Sequence, residues 1–156
     1  MTKENKYILV VDDDEVARET ICNSLEDTSY EIDTANDGHE ALEKIAKKEY
    51  ATVVCDIKMP GIDGLSVLRK VKKTRNIPFI FVTGYPGDAD ENQIVNELRP
   101  FGFLSKPFDH KELILLVKNA VDHYNLTKKR EAFLKELEKE GDEKLKKYTE
   151  RLKYII

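Results

Sequence analysis

Cysteine is scarce in this chain, with Cys22 and Cys55 the two among 156 residues. They stand too far apart for a disulfide framework or a metal knuckle, and Cys55 lies inside an apolar run, so both read as reduced packing residues. Long apolar stretches are absent, and none approaches the roughly 20 residues of a membrane span. The opening MTKENKYILVV has neither the basic flank nor the small-residue cleavage site of a signal peptide, which points to a cytoplasmic chain without a membrane partner. An excess of positive charge is missing as well. The formal net charge of -4 argues against a nucleic-acid surface as the main business of the molecule. His39, His110 and His123 show no metal-ligand spacing and read as surface residues. What is left has the length of one domain with a real core and something appended.

From residue 7 to about 123 two periodicities alternate. Tyr7–Val11 is an almost wholly apolar run, suited to a parallel strand buried on both faces, and Val16, Ala17, Ile21 and Leu25 follow at helical spacing with Asp14 as cap. Glu31–Ala35 alternates like a strand nearer an edge, and Asn36-Asp37-Gly38 turns into a helix carrying Ala41, Leu42 and Ile45 inward. Ala51–Cys55 is a third strand. A loop, Met59-Pro60-Gly61-Ile62-Asp63-Gly64, then leads to a helix marked by Leu65, Val67, Leu68 and Val71. Pro78–Val82 reads as the fourth strand, Glu91–Leu98 as a short fourth helix thin in apolar residues, and Phe101–Leu104 as the fifth strand. Pro107 breaks the chain, and Asp109 can cap a fifth helix from Lys111 onward through Leu113, Leu116, Val117 and Ala120.

Five strand and helix pairs in alternation predict an α/β fold, a doubly wound five-stranded parallel sheet in the flavodoxin-like order 2-1-3-4-5. Ligands of such sheets sit beyond the carboxyl ends of the strands, where the order reverses. Reactive polar residues stand at those ends: Asp12 and Asp13 after ILVV, Asp56 after TVVC, Thr83 after FIFV, Lys106 after FLS. Three carboxylates brought together repel strongly, since unit charges about 4 Å apart interact by roughly 4 kcal/mol at an intermediate dielectric. A bound Mg2+ would relieve the repulsion, and it prefers hard oxygen ligands. One carboxylate oxygen would remain free as a nucleophile toward phosphorus, with the metal and Lys106 neutralising charge on the transferring group. Asp56 is the choice, because the loop held by Pro60 and two glycines leaves the space above it open. Thr83 can bond a phosphoryl oxygen, and Gly84 leaves room for the group.

VVDDD, DIKMPGIDG, FVTGY and FLSKPF resemble the signature segments of the receiver domain of bacterial two-component response regulators, in that family's order and spacing. The resemblance covers residues 7 to about 123. It implies that Asp56 is the phosphoacceptor, that Asp13, Asp56 and the backbone carbonyl of Lys58 hold Mg2+, and that Asp12 acts mainly through bound water. It implies further that Thr83 and Lys106 contact the phosphate, and that the donor is a phosphohistidine on a sensor histidine kinase or phosphotransfer protein, or a small-molecule phosphodonor. Phosphorylation would draw in Thr83 and Lys106, and the ring of Phe103, three residues before the lysine, would turn inward and shift the surface of the fourth helix, fifth strand and fifth helix. Phe103 lacks a tyrosine hydroxyl, so its inward preference should rest on packing. Lys58 and Tyr85 sit where the family varies, and together they are expected to hinder water and slow loss of the phosphate.

Residues 124–156 form a separate extension beyond the 1–123 receiver. Leu134, Leu137, Leu145, Tyr148, Leu152 and Ile155 step by threes and fours with one seam position missing at Gly141, which reads foremost as an amphipathic helical arm forming a dimerising coiled coil. Such an arm would extend roughly 50 Å. Gly141-Asp142 offers a break, so a helical hairpin is also open, as is a solvated helix. The extension is too short for a winged-helix DNA-binding domain and mixed in charge, so direct nucleic-acid binding is not expected. It serves either a single-domain receiver or the link to a missing C-terminal output domain. A different class, a Mg2+-dependent aspartate-nucleophile phosphohydrolase of the dehalogenase type, would use the spacing of Asp12 and Asp14, although the rest of that pattern is hard to find.

Overall fold

The computed structural model describes residues 3–84, 96–139 and 143–153. The chain divides into a larger unit, Asn5–Tyr124, and a smaller one made of Met1–Glu4 with Asn125–Ile156. In the larger unit β1 (Tyr7–Val11), α1 (Glu15–Ser24), β2 (Glu31–Ala35), α2 (Gly38–Lys47), β3 (Thr52–Cys55), α3 (Gly64–Lys72), β4 (Phe79–Thr83) and β5 (Gly102–Ser105) follow one another, and α4 (His110–Lys139) begins. The strands form one sheet in the order β2-β1-β3-β4-β5, and every pairing is parallel.

The apolar runs explain this sheet. Strand side chains alternate between faces, so a strand covered on both sides needs apolar residues throughout. Leu9, Val11, Val53, Cys55, Phe79 and Phe81 pack on one face with Ala41 and Ile45 of α2 and Val67, Leu68 and Val71 of α3. Ile8, Val10, Val54, Ile80 and Val82 pack on the other with Ile21 of α1 and Leu113, Val117 and Ala120 of α4. The two edge strands, β2 and β5, keep a more exposed and partly buried pattern.

Aspartates start four of the helices, Asp109 among them, whose carboxylate accepts the Lys111 amide at 2.8 Å at the start of α4. Asp14, Asp37 and Asp63 accept hydrogen bonds from the amides of Val16, Glu40 and Ser66 at 3.0, 2.8 and 2.7 Å. Each such cap stabilises its helix by about 1 kcal/mol. α3 also needs a glycine at its first position. The Gly64 amide donates to the Ile57 carbonyl at 2.8 Å, and a Cβ on Gly64 would stand 2.2 Å from the carbonyl oxygen of Asp56. That close approach fastens α3 directly under the residue after β3.

Strands four and five each begin and end one residue later than the apolar runs suggest. Thr83 pairs with Ser105 in register, so the ladder continues into polar residues. Of the expected helix 91–98, residues 96–98 are helical; the remainder, and Tyr85, lie outside the described residues.

The extension departs from one uninterrupted arm. α4 stops at Lys139, a second helix, α5, spans Glu143–Lys153, and Gly141-Asp142 lies outside the described residues. Lys153 Nζ meets Glu138 Oε1 at 3.1 Å. Fifteen residues of straight helix would separate those groups by about 22 Å, so the chain reverses between them. In the same unit Lys129 pairs with Glu4 at 3.2 Å.

Candidate functional site

β1 and β3 are neighbours, with Val11 opposite Cys55, and the Asp56 amide donates to the Val11 carbonyl at 3.0 Å. The residues just past the two strands therefore emerge side by side. Carboxylate oxygens of Asp12, Asp13 and Asp56 all lie within 4.8 Å of one another. From the other side of the sheet, β5 delivers Lys106, whose amide donates to the Thr83 carbonyl at 2.8 Å and whose peptide bond to Pro107 is cis. The Lys106 ammonium donates to Asp12 Oδ2 at 3.0 Å and to Asp56 Oδ2 at 3.5 Å.

The three acids are held differently. Asp12 is fully buried, and a buried carboxylate demands partners. Its Oδ1 accepts the Asp14 amide at 3.0 Å and its Oδ2 accepts Lys106. Its own amide donates to the Ala35 carbonyl at 3.2 Å, and its carbonyl accepts Arg18 Nη1 at 2.8 Å. Asp13 is exposed, and Asp56 is partly buried. Asp13, Asp14, Asp56, Lys58, Gly84, Lys106 and Pro107 line an open cleft of about 630 Å³. Asp14 spends its carboxylate on the α1 cap and Asp12 on Asp14 and Lys106, which leaves neither as an open nucleophile of the dehalogenase kind.

Burial pushes the Asp56 carboxyl up from its ordinary value, the charge of Lys106 opposes the rise, and the charge of Asp12 adds to it. Burial works against the Lys106 ammonium, yet its hydrogen bond and charge pairing with Asp12, then Asp56, outweigh that and raise it. Burial, then the charges of Asp56 and Asp12, lift the Cys55 thiol well above its ordinary value, so it stays an inert packing group. Three carboxylates around an open cleft offer only hard oxygens, a donor set that suits Mg2+ rather than zinc.

Thr83 is buried at the end of β4, and the next residue, Gly84, leaves its Cβ direction open as far as the Lys106 stem at 3.9 Å. Phe103 on β5 is partly buried against the core, its ring 5.8 Å from that of Phe81. All three histidines are exposed. The contact that sequence reasoning missed is Arg18. Its acceptor is a main-chain carbonyl, and no residue pattern announces one.

A parallel sheet with an acid cluster and a lysine at its carboxyl edge defines a class of phosphoacceptor signalling domain. The family model described as response regulator receiver domain matches residues 8–118, and the chain belongs to that family. The DNA-binding transcriptional regulator NtrC of Escherichia coli is 35% identical over 118 residues, which are 75% of this chain and 25% of NtrC. The chain thus spans about a quarter of that relative's length. Among solved structures, response regulator protein TrrA from Thermotoga maritima in complex with Mg(2+)-BeF is similar at a TM-score of 0.66 and 37% identity, covering 74% of this chain and 98% of that one. The crystal structure of adenylate cyclase from Rhodopirellula baltica is similar at a TM-score of 0.76 and 30% identity, over 84% of this chain and 98% of that one. No helix among the described residues is long and apolar enough to cross a membrane.

Proposed function

We propose that Asp56 is the phosphoacceptor of a two-component signalling receiver working in the cytoplasm, and that its donor is a phosphohistidine on a sensor histidine kinase or phosphotransfer protein. The observation that carries this reading is Lys106 standing between Asp12 and Asp56 at the mouth of an open cleft. An Asp56 oxygen attacks phosphorus, the new O–P bond forms as the P–N bond breaks, and the departing imidazole nitrogen keeps the electron pair. Asp13, Asp56 and the Lys58 carbonyl would hold Mg2+, with Asp12 acting through water. When bound, the ion supplies charge neutralisation to the transferring group. Lys106 supplies the second cation and Thr83 a hydroxyl donor to a phosphoryl oxygen.

The acyl phosphate adds about -1.5 to -2 charges and three acceptor oxygens. Lys106 and Thr83 are drawn toward it, the lysine loosens from Asp12, and the Phe103 ring repacks as β4 and β5 shift. The output runs through the helical extension, either as a homodimer contact or as a link to an output domain. Leu126, Phe133 and Tyr148, each more than half exposed, supply apolar surface for the dimer.

Intact mass measurement with a small-molecule acyl phosphate tests the assignment. Wild type with Mg2+ gains one phosphoryl group, while chelated wild type and Asp56→Ala do not. A mass gain retained in Asp56→Ala would sink it.

A further inference from the structure

We propose that Arg18 is a positioning residue for the acid cluster: by bonding the main-chain carbonyl of Asp12 it fixes where Asp13 presents its carboxylate, and so sets the affinity for a divalent cation. This rests on the metal reading above and adds a residue to it.

The contrast among the three acids motivates the assignment. Lys106 holds the side chains of Asp12 and Asp56. Among the described residues, no hydrogen bond or ion pair reaches the carboxylate of Asp13, which is exposed yet lies within 4.8 Å of the other two. An exposed carboxylate with no partner keeps its place through its own backbone. The carbonyl of Asp12 and the amide of Asp13 share one rigid peptide plane, so fixing the Asp12 oxygen also fixes the origin of the Asp13 side chain. Arg18 Nη1 fixes it at 2.8 Å, with a charged donor that makes the bond stronger than a neutral one.

The base of this support is rigid. The Arg18 amide donates to the Asp14 carbonyl at 2.9 Å and begins the α1 ladder, and Ile21, further along the same helix, is buried in the core. On the other side the Asp12 amide is tied to β2 through the Ala35 carbonyl. The β1–α1 turn is thus clamped from β2 and from α1, and Arg18 is the side-chain half of that clamp. A guanidinium that served only to brace the turn would matter for stability and not for the ion. Outer groups that orient metal ligands, when removed, typically weaken metal affinity by about 10- to 100-fold.

The test uses the full chain as wild type, Arg18→Met, Arg18→Lys and Asp13→Asn, with Mg2+ alone titrated by calorimetry and thermal unfolding followed in chelator. Arg18→Met should raise the Mg2+ dissociation constant about tenfold, with partial recovery in Arg18→Lys, which keeps the charge and one donor group. A dissociation constant for Arg18→Met within about twofold of wild type overturns the inference, as does tighter binding, which would mean that the guanidinium acts only by repelling the ion. Should Arg18→Met fail to fold, Arg18→Gln carries the same comparison. If wild type binds Mg2+ no better than Asp13→Asn, the metal reading falls and the inference with it; if wild type binds and Arg18→Met matches it, only the inference falls.

Discussion

Lys106 answers to two carboxylates at once, and the side chain of one of them, Asp12, is fully buried. Replacing the lysine strands a buried negative charge, a defect worth several kcal/mol when the pair is fully enclosed. Because the Lys106 side chain keeps 26% of its exposure, Lys106→Met should cost about 1 to 3 kcal/mol in chemical denaturation without Mg2+. Adding Mg2+ should return part of the loss, because a ligand of the folded state stabilises it by mass action. Asp56 works in the opposite direction. Its folded pKa is raised above the ordinary 3.8, so the folded state holds the proton more tightly than the unfolded one. Any stability it contributes is full below that ordinary value and is lost as pH rises through the folded one. Asp56→Asn should therefore unfold later than wild type at neutral pH in chelator and show a flatter profile across the acid range. A wild type that gains stability from Asp56 ionisation in chelator would contradict this.

At the scale of elements, Gly64 joins the start of α3 to the peptide of Asp56. Gly64→Ala forces a methyl group against a main-chain oxygen 2.2 Å away, so β3 and α3 must separate. A loss of about 1 to 3 kcal/mol and slower mass gain at Asp56 are the expected outcomes, by melting and by intact mass. Phe103→Leu should leave phosphorylation intact while removing the Phe81 ring contact, so that hydrogen exchange along β5 no longer responds to the phosphoryl group. Equal exchange responses in wild type and Phe103→Leu would dismiss the ring as a switch. Such elements were legible in the sequence because short apolar runs stop at polar residues and aspartates cap the helices that follow. Tyr7–Val11 suits a strand covered on both faces, and Asp12, Asp56 and Lys106 mark where three strands stop. The exchanges between main chain and side chain were not legible. Neither the Arg18 bond to a carbonyl nor the encroachment of Gly64 on Asp56 leaves a residue pattern. The reversal of the extension was only half visible: the heptad-like steps favour one long helix, and the glycine that weakens it at 141 has to be weighed against them.

At the scale of the whole molecule, every buried residue of both core clusters lies at or before Tyr124. A fragment ending there should melt cooperatively near the full chain and gain one phosphoryl group at Asp56. Light scattering with and without beryllofluoride then assigns the extension its part: the full chain should dimerise on activation and the fragment should not. Equal behaviour of the two would remove the extension from the output.

The single lysine shared by the cluster also fixes a valence. With all three acids ionised, three negative charges face one positive charge, and the shortfall is two. A divalent ion closes it, whereas a monovalent ion leaves half of it open, so potassium and sodium should be poor rivals for this cleft even where they are abundant. Converting one carboxylate into an acyl phosphate reopens the shortfall. A cation already in place to change allegiance is the lysine that had been divided between Asp12 and Asp56.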